Sequence, residues 1–310
     1  MAVKICLLGG ETISEMVAQC AQLAMILEVS TPTKPGNVDR FHEYADTKFE
    51  HFLASAVGVY PVFRRASQSR RGVGTLIKDA VLQSMKWHSG GNTHFGTFLL
   101  LIPLSMAAGE LVENGNLGSK GSLLVLRDTA QRIVRSTDML DALEFYEAFR
   151  LARVKVKSVP SLDLRDDETA EEIVKRELTL YDLIEMSAHY DMVAREWVNG
   201  FSVSFESAKL IAEEINQKSL WDAITITFLR ILAKYGDTFI TIKFGNEVAE
   251  WTKKRAGNLV EFIEKADIKN ARNLIQSFDE ELISRKINPG SVADIICSGL
   301  FIALMGGMRL

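Results

Sequence analysis

The sequence predicts an all-α protein, on three observations. Apolar residues recur at three- to four-residue spacing through most of the 310 residues. Strand signals are nearly absent, with FITIKFG at 239–245 the one short candidate. The stretch 93–111 carries almost no charge, as expected for a helix buried on all sides in the middle of a bundle. Together these predict a single compact multi-helix domain over 1–310, with functional loops at helix ends. The best linker candidate is 155–167, which holds Pro160 and a charge run.

Taken in order, the opening VKICLLGG could be the first strand of a dinucleotide-binding fold, but Gly9-Gly10-Glu11 is not the glycine fingerprint of that fold. Ile13, Val17, Ala21, Ala24 and Leu27 then mark a helical stripe, with Thr12 and Glu15 spaced as a capping box. Pro32 biases its predecessor toward extended geometry, so this helix ends near Val29. A second helix is expected at 46–57 and a third within 67–87, where 76–85 lies on one apolar stripe. The loop 88–94 leads into the uncharged helix, with Asn92 or Thr93 as its N-cap and Pro103 as a kink. Further helices are expected at 121–135, 137–152, 169–199, 205–217, 219–235, 247–265, 268–284 and 291–306.

Composition narrows the function classes. The chain is 47 % hydrophobic and 25 % charged, with a formal net charge of −4. That mild acidity argues against a nucleic-acid partner, which favours a basic face. The longest charge-free stretch, 96–109, is shorter than the roughly 18 apolar residues of a membrane span. Cys6, Cys20 and Cys297 sit in apolar contexts with no CxxC pair, and the N-terminal stretch is too short for a secretory signal. The expectation is a soluble cytoplasmic protein. Exposed apolar patches could pair two copies as a homodimer, although no segment selects one.

Four segments break the helical grammar: 28–40, 89–96, 235–245 and 288–294. The first, EVSTPTKPGNVDR, is stiffened by two prolines and loses little entropy when ordered around a ligand. It presents Lys34 and Arg40, suited to phosphate, beside Asp39, suited to Mg²⁺ or a hydroxyl proton. In GGNTHFG the glycines let backbone N–H groups approach an anion at a helix N-terminus, although a tight turn capped by Asn92 explains the same residues. YGDTFI places Asp237 and Thr238 after a helix-ending glycine, with Lys243 near, and turn chemistry is a sufficient reading. NPGSVAD sets Ser291 as a cap and Asp294 in the first turn, where an acid complements the helix dipole. Other features take bland readings. His42 and His51 sit in polar, exposed contexts, and His88 packs beside Trp87. Asp191, Arg195 and Glu196 read as an exposed salt-bridged face ending at Gly200, and 163–177 reads as a solvated helix start. No HExxH, Walker or GxSxG motif is present.

In their order along the chain, EVSTPTKPGNVDR, GGNTHFG, GDTFI and NPGSVAD resemble the triphosphoribosyl-dephospho-CoA synthase family, which shows TPKPGLVDR-like, NTHKG-like, DT-like and PGGSADL-like segments. The resemblance implies an all-α fold and an enzyme with ATP and dephospho-CoA as substrates. ATP loses adenine, and its triphosphoribosyl group joins the 2′-hydroxyl of 3′-dephospho-CoA to make a prosthetic-group precursor. Such chemistry needs Mg²⁺ and N–H or cationic donors for the triphosphate, carboxylates near an oxocarbenium-like state, and a base for the ribose hydroxyl. Carried onto this chain, Lys34, Gly36, Arg40, Gly91, Asn92, Thr93, Thr238 and Ser291 are expected to bind substrate. Asp39, Asp237, Asp294 and His94 are expected to be catalytic, and Glu28, Asp39, Asp46, Asp237 and Asp294 to hold metal, with ligand and base unassigned among the acids. Phe95 stands where the family has Lys, and FHEYADTKF and KFG depart from its usual segments. Two other functions stay open: a nucleotide N-glycosidase or pentosyl transferase with another acceptor, and a non-catalytic nucleotide- or CoA-binding helical protein.

Overall fold

The computed structural model describes residues 12–113, 121–152 and 169–310. The linker expected at 155–167, the opening strand candidate and the Gly9-Gly10 pair lie outside the described residues. Among the described residues every regular element is a helix.

The first half runs α1 (Ile13–Ser30), α2 (Phe49–Gly58), α3 (Tyr60–Gln68), α4 (Val73–Met85), α5 (Phe95–Glu113), α6 (Ser122–Arg135) and α7 (Met139–Leu151). The capping box at Thr12 and Glu15 forms, and α1 ends at Thr31, just ahead of Pro32. Helix α3 is additional to the expected set. It carries Pro61 in its first turn, where a missing N–H leaves no intrahelical bond unmade.

The expected single helix at 169–199 is three short ones, α8 (Thr169–Lys175), α9 (Leu180–Ser187) and α10 (Met192–Val198). The breaks have local causes. Glu177 adopts a positive φ of 50°, Thr179 caps α9, and Asp191 accepts from Val193 N and Ala194 N to start α10. Apolar periodicity survives across such breaks, because each of the three helices buries apolar residues of its own.

The second half comprises α11 (Ser202–Glu214), α12 (Leu220–Tyr235), α13 (Thr238–Phe244), α14 (Asn246–Ala266), α15 (Ile268–Ser284) and α16 (Gly290–Met305). FITIKFG is therefore helical, correcting the strand expectation. Asp237 caps the segment and Gly245 ends it, and these caps outweigh the β-branched composition. Glu196 is also not on an exposed face. It is 1 % exposed, and its carboxylate accepts from Val203 N and Ser204 N at the start of α11.

Helices α1, α5 and α16 pack on one another at the centre, ringed by α3, α4, α6, α10, α11 and α12. Their buried side chains belong to one continuous apolar core that reaches from Met16 to Met305. Outside it, α7 lies on α4, α14 on α12 and α15 on α14. Phe95–Val112 is long and apolar enough to cross a membrane by length and composition, longer than the charge-free stretch alone, but 83 % of it is buried inside the protein. Pro103 removes the N–H that would bond Leu99 O within α5. The buried indole of Trp197 supplies the replacement, donating from Nε1 to Leu99 O at 2.8 Å. With this arrangement the C-terminal end of α1 and the N-terminal ends of α5 and α16 meet at one place.

Candidate functional site

A cavity of about 770 Å³ opens where those three ends meet. Its polar side is lined by Glu28 from α1, Asn37 from the following loop, Gly90–Thr93, Asp191, Ser291 and Asp294. Its apolar side is built from Phe95, Phe145, Phe149, Leu183, Ile184 and Met186. The Phe95 ring lies 5.8 Å from that of Phe145 and 6.0 Å from that of Phe149, so the position where the family has Lys is part of an aromatic wall.

The start of α5 follows from its loop. Asn92 Oδ1 accepts from Phe95 N at 3.0 Å, so Asn92 is the capping residue, and Gly91 N donates to Asp46 O at 2.8 Å. Asp46 is exposed at the cavity rim, as is Lys243. Both α5 and α16 point N-termini at this space, where unpaired N–H groups and the helix dipole favour an anion.

Asp294 sits between those two ends. Its Oδ1 accepts from Thr97 Oγ1 at 2.5 Å. Gly96 lacks a Cβ where one would collide with Oδ2 of the same carboxylate, so only glycine lets α5 and Asp294 approach this closely. One side of Asp294 opens to the cavity, and protein surrounds it elsewhere. Burial pushes its carboxyl up to about 8; Thr97 opposes this, while the charges of Glu28, Asp191 and Asp237 add to it. Glu28 is 5 % exposed, and its Oε1 lies 3.4 Å from Lys34 Nζ. Burial raises its pKa and Lys34 works against that.

His94 is 3 % exposed, with Nδ1 2.8 Å from Ser55 Oγ. Ser55 Oγ in turn accepts from Ser84 Oγ at 2.7 Å, which leaves the Ser55 proton for Nδ1 and places the imidazole proton on Nε2. That Nε2 is buried with no hydrogen-bond partner. Burial, with His88 adding to it, lowers the His94 pKa to about 3, so the ring is a neutral donor rather than a cation.

The remaining expected site residues lie behind the wall. Asp237 Oδ1 accepts from Ile240 N and Oδ2 from Val292 N, both at 2.9 Å, tying the first turns of α13 and α16 together. Burial raises its carboxyl to about 7 against these N–H groups. Thr238 Oγ1 accepts from Met192 N at 3.0 Å and donates to Ser291 Oγ at 3.3 Å. Asp39 folds back on its own loop, accepting from Thr33 N, Phe41 N and His42 N. Gly36, at φ +80°, donates its N–H to Asp279 Oδ1 at 2.8 Å. Lys34 is fully buried beneath the loop and Arg40 is exposed away from the cavity lining. Glu28, Asp46, Gly91, Asn92, Thr93, His94, Ser291 and Asp294 thus share the cavity, whereas Lys34, Gly36, Asp39, Arg40, Asp237 and Thr238 do not line it.

Sequence reasoning placed Asp191 on an exposed face, whereas it lines the cavity, and passed over Thr97 and Asp279. Asp191 followed by MVA is an N-cap signal that could have placed it at a helix start. Thr97 and Asp279 sit mid-pattern and send no local signal. His42 is also not an isolated surface histidine, since its ring meets both Asp39 and Asp279. His88 stacks on His51, their ring centroids 5.2 Å apart.

Comparison with known proteins points in one direction. A family model described as ATP:dephospho-CoA triphosphoribosyl transferase matches residues 14–309. A Citrobacter koseri protein assigned as a 2-(5''-triphosphoribosyl)-3'-dephosphocoenzyme-A synthase is 23 % identical over 304 residues, covering 94 % of this chain and 91 % of the relative. A crystal structure of an Archaeoglobus fulgidus protein, assigned as a triphosphoribosyl-dephospho-CoA synthase, is similar at 34 % identity and a TM-score of 0.66. The match covers 84 % of this chain and 100 % of that one.

Proposed function

The chain belongs to the ATP:dephospho-CoA triphosphoribosyl transferase family, and from that premise we propose that it joins the triphosphoribosyl group of ATP to the 2′-hydroxyl of 3′-dephospho-CoA and releases adenine. The observation that carries the reading is one cavity holding two carboxylates of raised proton affinity, Glu28 and Asp294, between two helix N-termini and an aromatic wall.

The geometry supports a division of labour. Backbone N–H groups of Gly90, Asn92, Thr93, Gly290 and Ser291 bind phosphate oxygens, with Lys243 at the rim. The adenine lies against Phe95, Phe145 and Phe149. Asp294, protonated near neutrality, gives its proton to adenine as the bond from C1 of the ribose to the base breaks. Glu28 takes the proton of the acceptor 2′-hydroxyl as the new C1–O bond forms, and its charge favours the oxocarbenium-like state. The His94 Nε2–H, which has no protein partner, donates to the bound substrate. Asp237, Thr238, Lys34, Gly36 and Asp39 serve by holding the helix starts and the loop in place.

Mg²⁺ fits this donor set, because Glu28 and Asp191 each add to the proton affinity of Asp294, and mutually repelling carboxylates are what an oxygen-preferring cation relieves. Asp191, with Asp46 at the rim, would hold it beside Glu28 and Asp294, which keep the proton-transfer roles. When bound, Mg²⁺ supplies charge neutralisation for a triphosphate of about four negative charges.

The test is incubation with ATP, Mg²⁺ and 3′-dephospho-CoA, followed by chromatography and mass spectrometry. Free adenine together with a heavier CoA species supports the reading. Adenine without the adduct indicates water as acceptor, the outcome that Phe95 favours by removing a cation from the anion site. Neither product overturns both.

A further inference from the structure

On the far side of the loop that follows α1, outside the cavity lining, Asp39, His42 and Asp279 bring one donor atom each within 4.8 Å of one another. His42 Nδ1 lies 3.3 Å from Asp39 Oδ1 and 3.3 Å from Asp279 Oδ2. Both carboxylates are fully enclosed, whereas the histidine side chain is 22 % exposed. Asp279 Oδ2 is buried without a hydrogen-bond partner, although Oδ1 of the same group accepts from Gly36 N.

This cluster is organised to receive a cation. Two enclosed carboxylate oxygens flank one imidazole nitrogen, and a metal ion bound by all three relieves their repulsion as a proton on that nitrogen would. Backbone N–H groups of Thr33, Gly36, Phe41 and His42 hold the two carboxylates in place, the kind of support that orients metal ligands. For ligands at about 2.0–2.1 Å, the edge of a tetrahedral site is about 3.3–3.4 Å, which matches both His42 separations. A set of one imidazole nitrogen and two carboxylate oxygens suits a borderline ion, whereas Mg²⁺ prefers oxygen and several waters.

We infer that Asp39, His42 and Asp279 form a site for one divalent transition-metal ion of the zinc type, separate from the cavity, which fastens the 31–47 loop to α15. The fourth position faces solvent past the His42 ring. This inference does not depend on the proposed reaction.

The test uses the full-length protein, stripped with chelator and titrated with Co²⁺ and then Zn²⁺. One equivalent of Co²⁺ is expected to give visible ligand-field bands that one equivalent of Zn²⁺ abolishes, and Zn²⁺ is expected to raise Tm by several degrees at ~100 Kd. His42→Ala and Asp279→Asn are expected to weaken Zn²⁺ binding at least ~10–100-fold. Asp294→Asn is expected to leave it unchanged. Should Asp279→Asn fail to fold, His42→Gln, at the partly exposed ligand, gives the same reading. Absence of the bands and of the Tm shift overturns the inference. So does a loss of binding in Asp294→Asn equal to that in His42→Ala.

Discussion

Thr97 Oγ1 donates to Asp294 Oδ1 at 2.5 Å, and that bond joins the first turn of α5 to the first turn of α16. Two segments almost two hundred residues apart are thus held by a group whose ionisation is itself shifted by the enclosure. Asp294 is where the structure and the proposed chemistry are hardest to separate, so the first predictions concern it.

Asp294→Asn keeps shape and an acceptor for Thr97 while removing the exchangeable carboxyl proton. Turnover of ATP to adenine is expected to fall about 10²–10⁴-fold, the usual scale of acid–base contributions, with Tm unchanged or raised. Steady-state kinetics beside a thermal melt checks this. Loss of activity in step with loss of folded protein would argue for a structural role only.

The same group predicts a pH dependence of stability. Its folded pKa, about 8, is above the ordinary 3.8, so the folded state holds a proton that the unfolded chain has released. Stability is therefore full below about pH 4 on this account and declines as pH rises to about 8, where it levels off. Asp237, raised to about 7, acts in the same direction. Urea titrations between pH 5 and 8.5 are expected to show midpoints falling with pH, with a shallower slope in Asp294→Asn. A midpoint that rises across this range would contradict the assignment.

Asp237→Ala should behave differently from Asp294→Asn. It removes the cap of α13 and the acceptor for Val292 N together, and each lost cap costs about 1 kcal/mol, with a range of roughly 0.5–2. A loss of about 2 kcal/mol is expected, with activity falling alongside it. Chemical denaturation with linear extrapolation measures it. An inactive variant of wild-type stability would instead return Asp237 to the reacting groups.

His94 is expected to remain neutral throughout the range in which histidines ordinarily titrate, because its pKa is held near 3. Ring carbon and nitrogen shifts followed by NMR from pH 4.5 to 8 should stay flat for His94. A midpoint near 6.5 would show that water reaches the ring and that Ser55 does not set its tautomer.

Trp197→Phe leaves Leu99 O buried without a donor, which is expected to cost about 1–3 kcal/mol. Pro103→Ala restores the helical N–H, so the double variant should recover part of that loss. A double-mutant cycle in urea reads the coupling. Additive effects would mean that the indole bond is incidental.

The helical class was legible because apolar periodicity is a property of each segment alone. The starts of α12 and α15 follow from caps written beside them, at Ser219 and Asp267, whereas α16 starts at Gly290 after Pro289, so that Ser291, expected as its cap, lies inside its first turn. The division of 169–199 was partly hidden, since Thr179 fits equally well inside a longer amphipathic run, although Asp191 before MVA signals a helix start. Motif order pointed to Glu28, Asn92, His94, Ser291 and Asp294, all of which share the cavity. It could not tell which polar side chain on a turn faces a ligand and which turns back on the main chain. Asp39 turns back on its own loop, whereas one oxygen of Asp237 is taken by Val292 N, a partner decided by tertiary geometry. Lys34, which reads as a phosphate grip, instead pairs with Glu28, because the loop folds over it.

Glu28 stands near the end of α1 and Asp294 near the start of α16, yet both belong to one enclosure. During synthesis on the ribosome, the emerging polypeptide therefore cannot assemble this compartment until Asp294 has been translated. Prematurely terminated products would carry the aromatic wall and the glycine-bearing turn but lack a floor. Nascent chains of this kind would have to be kept from aggregating through their incomplete central helices until the closing segment arrives.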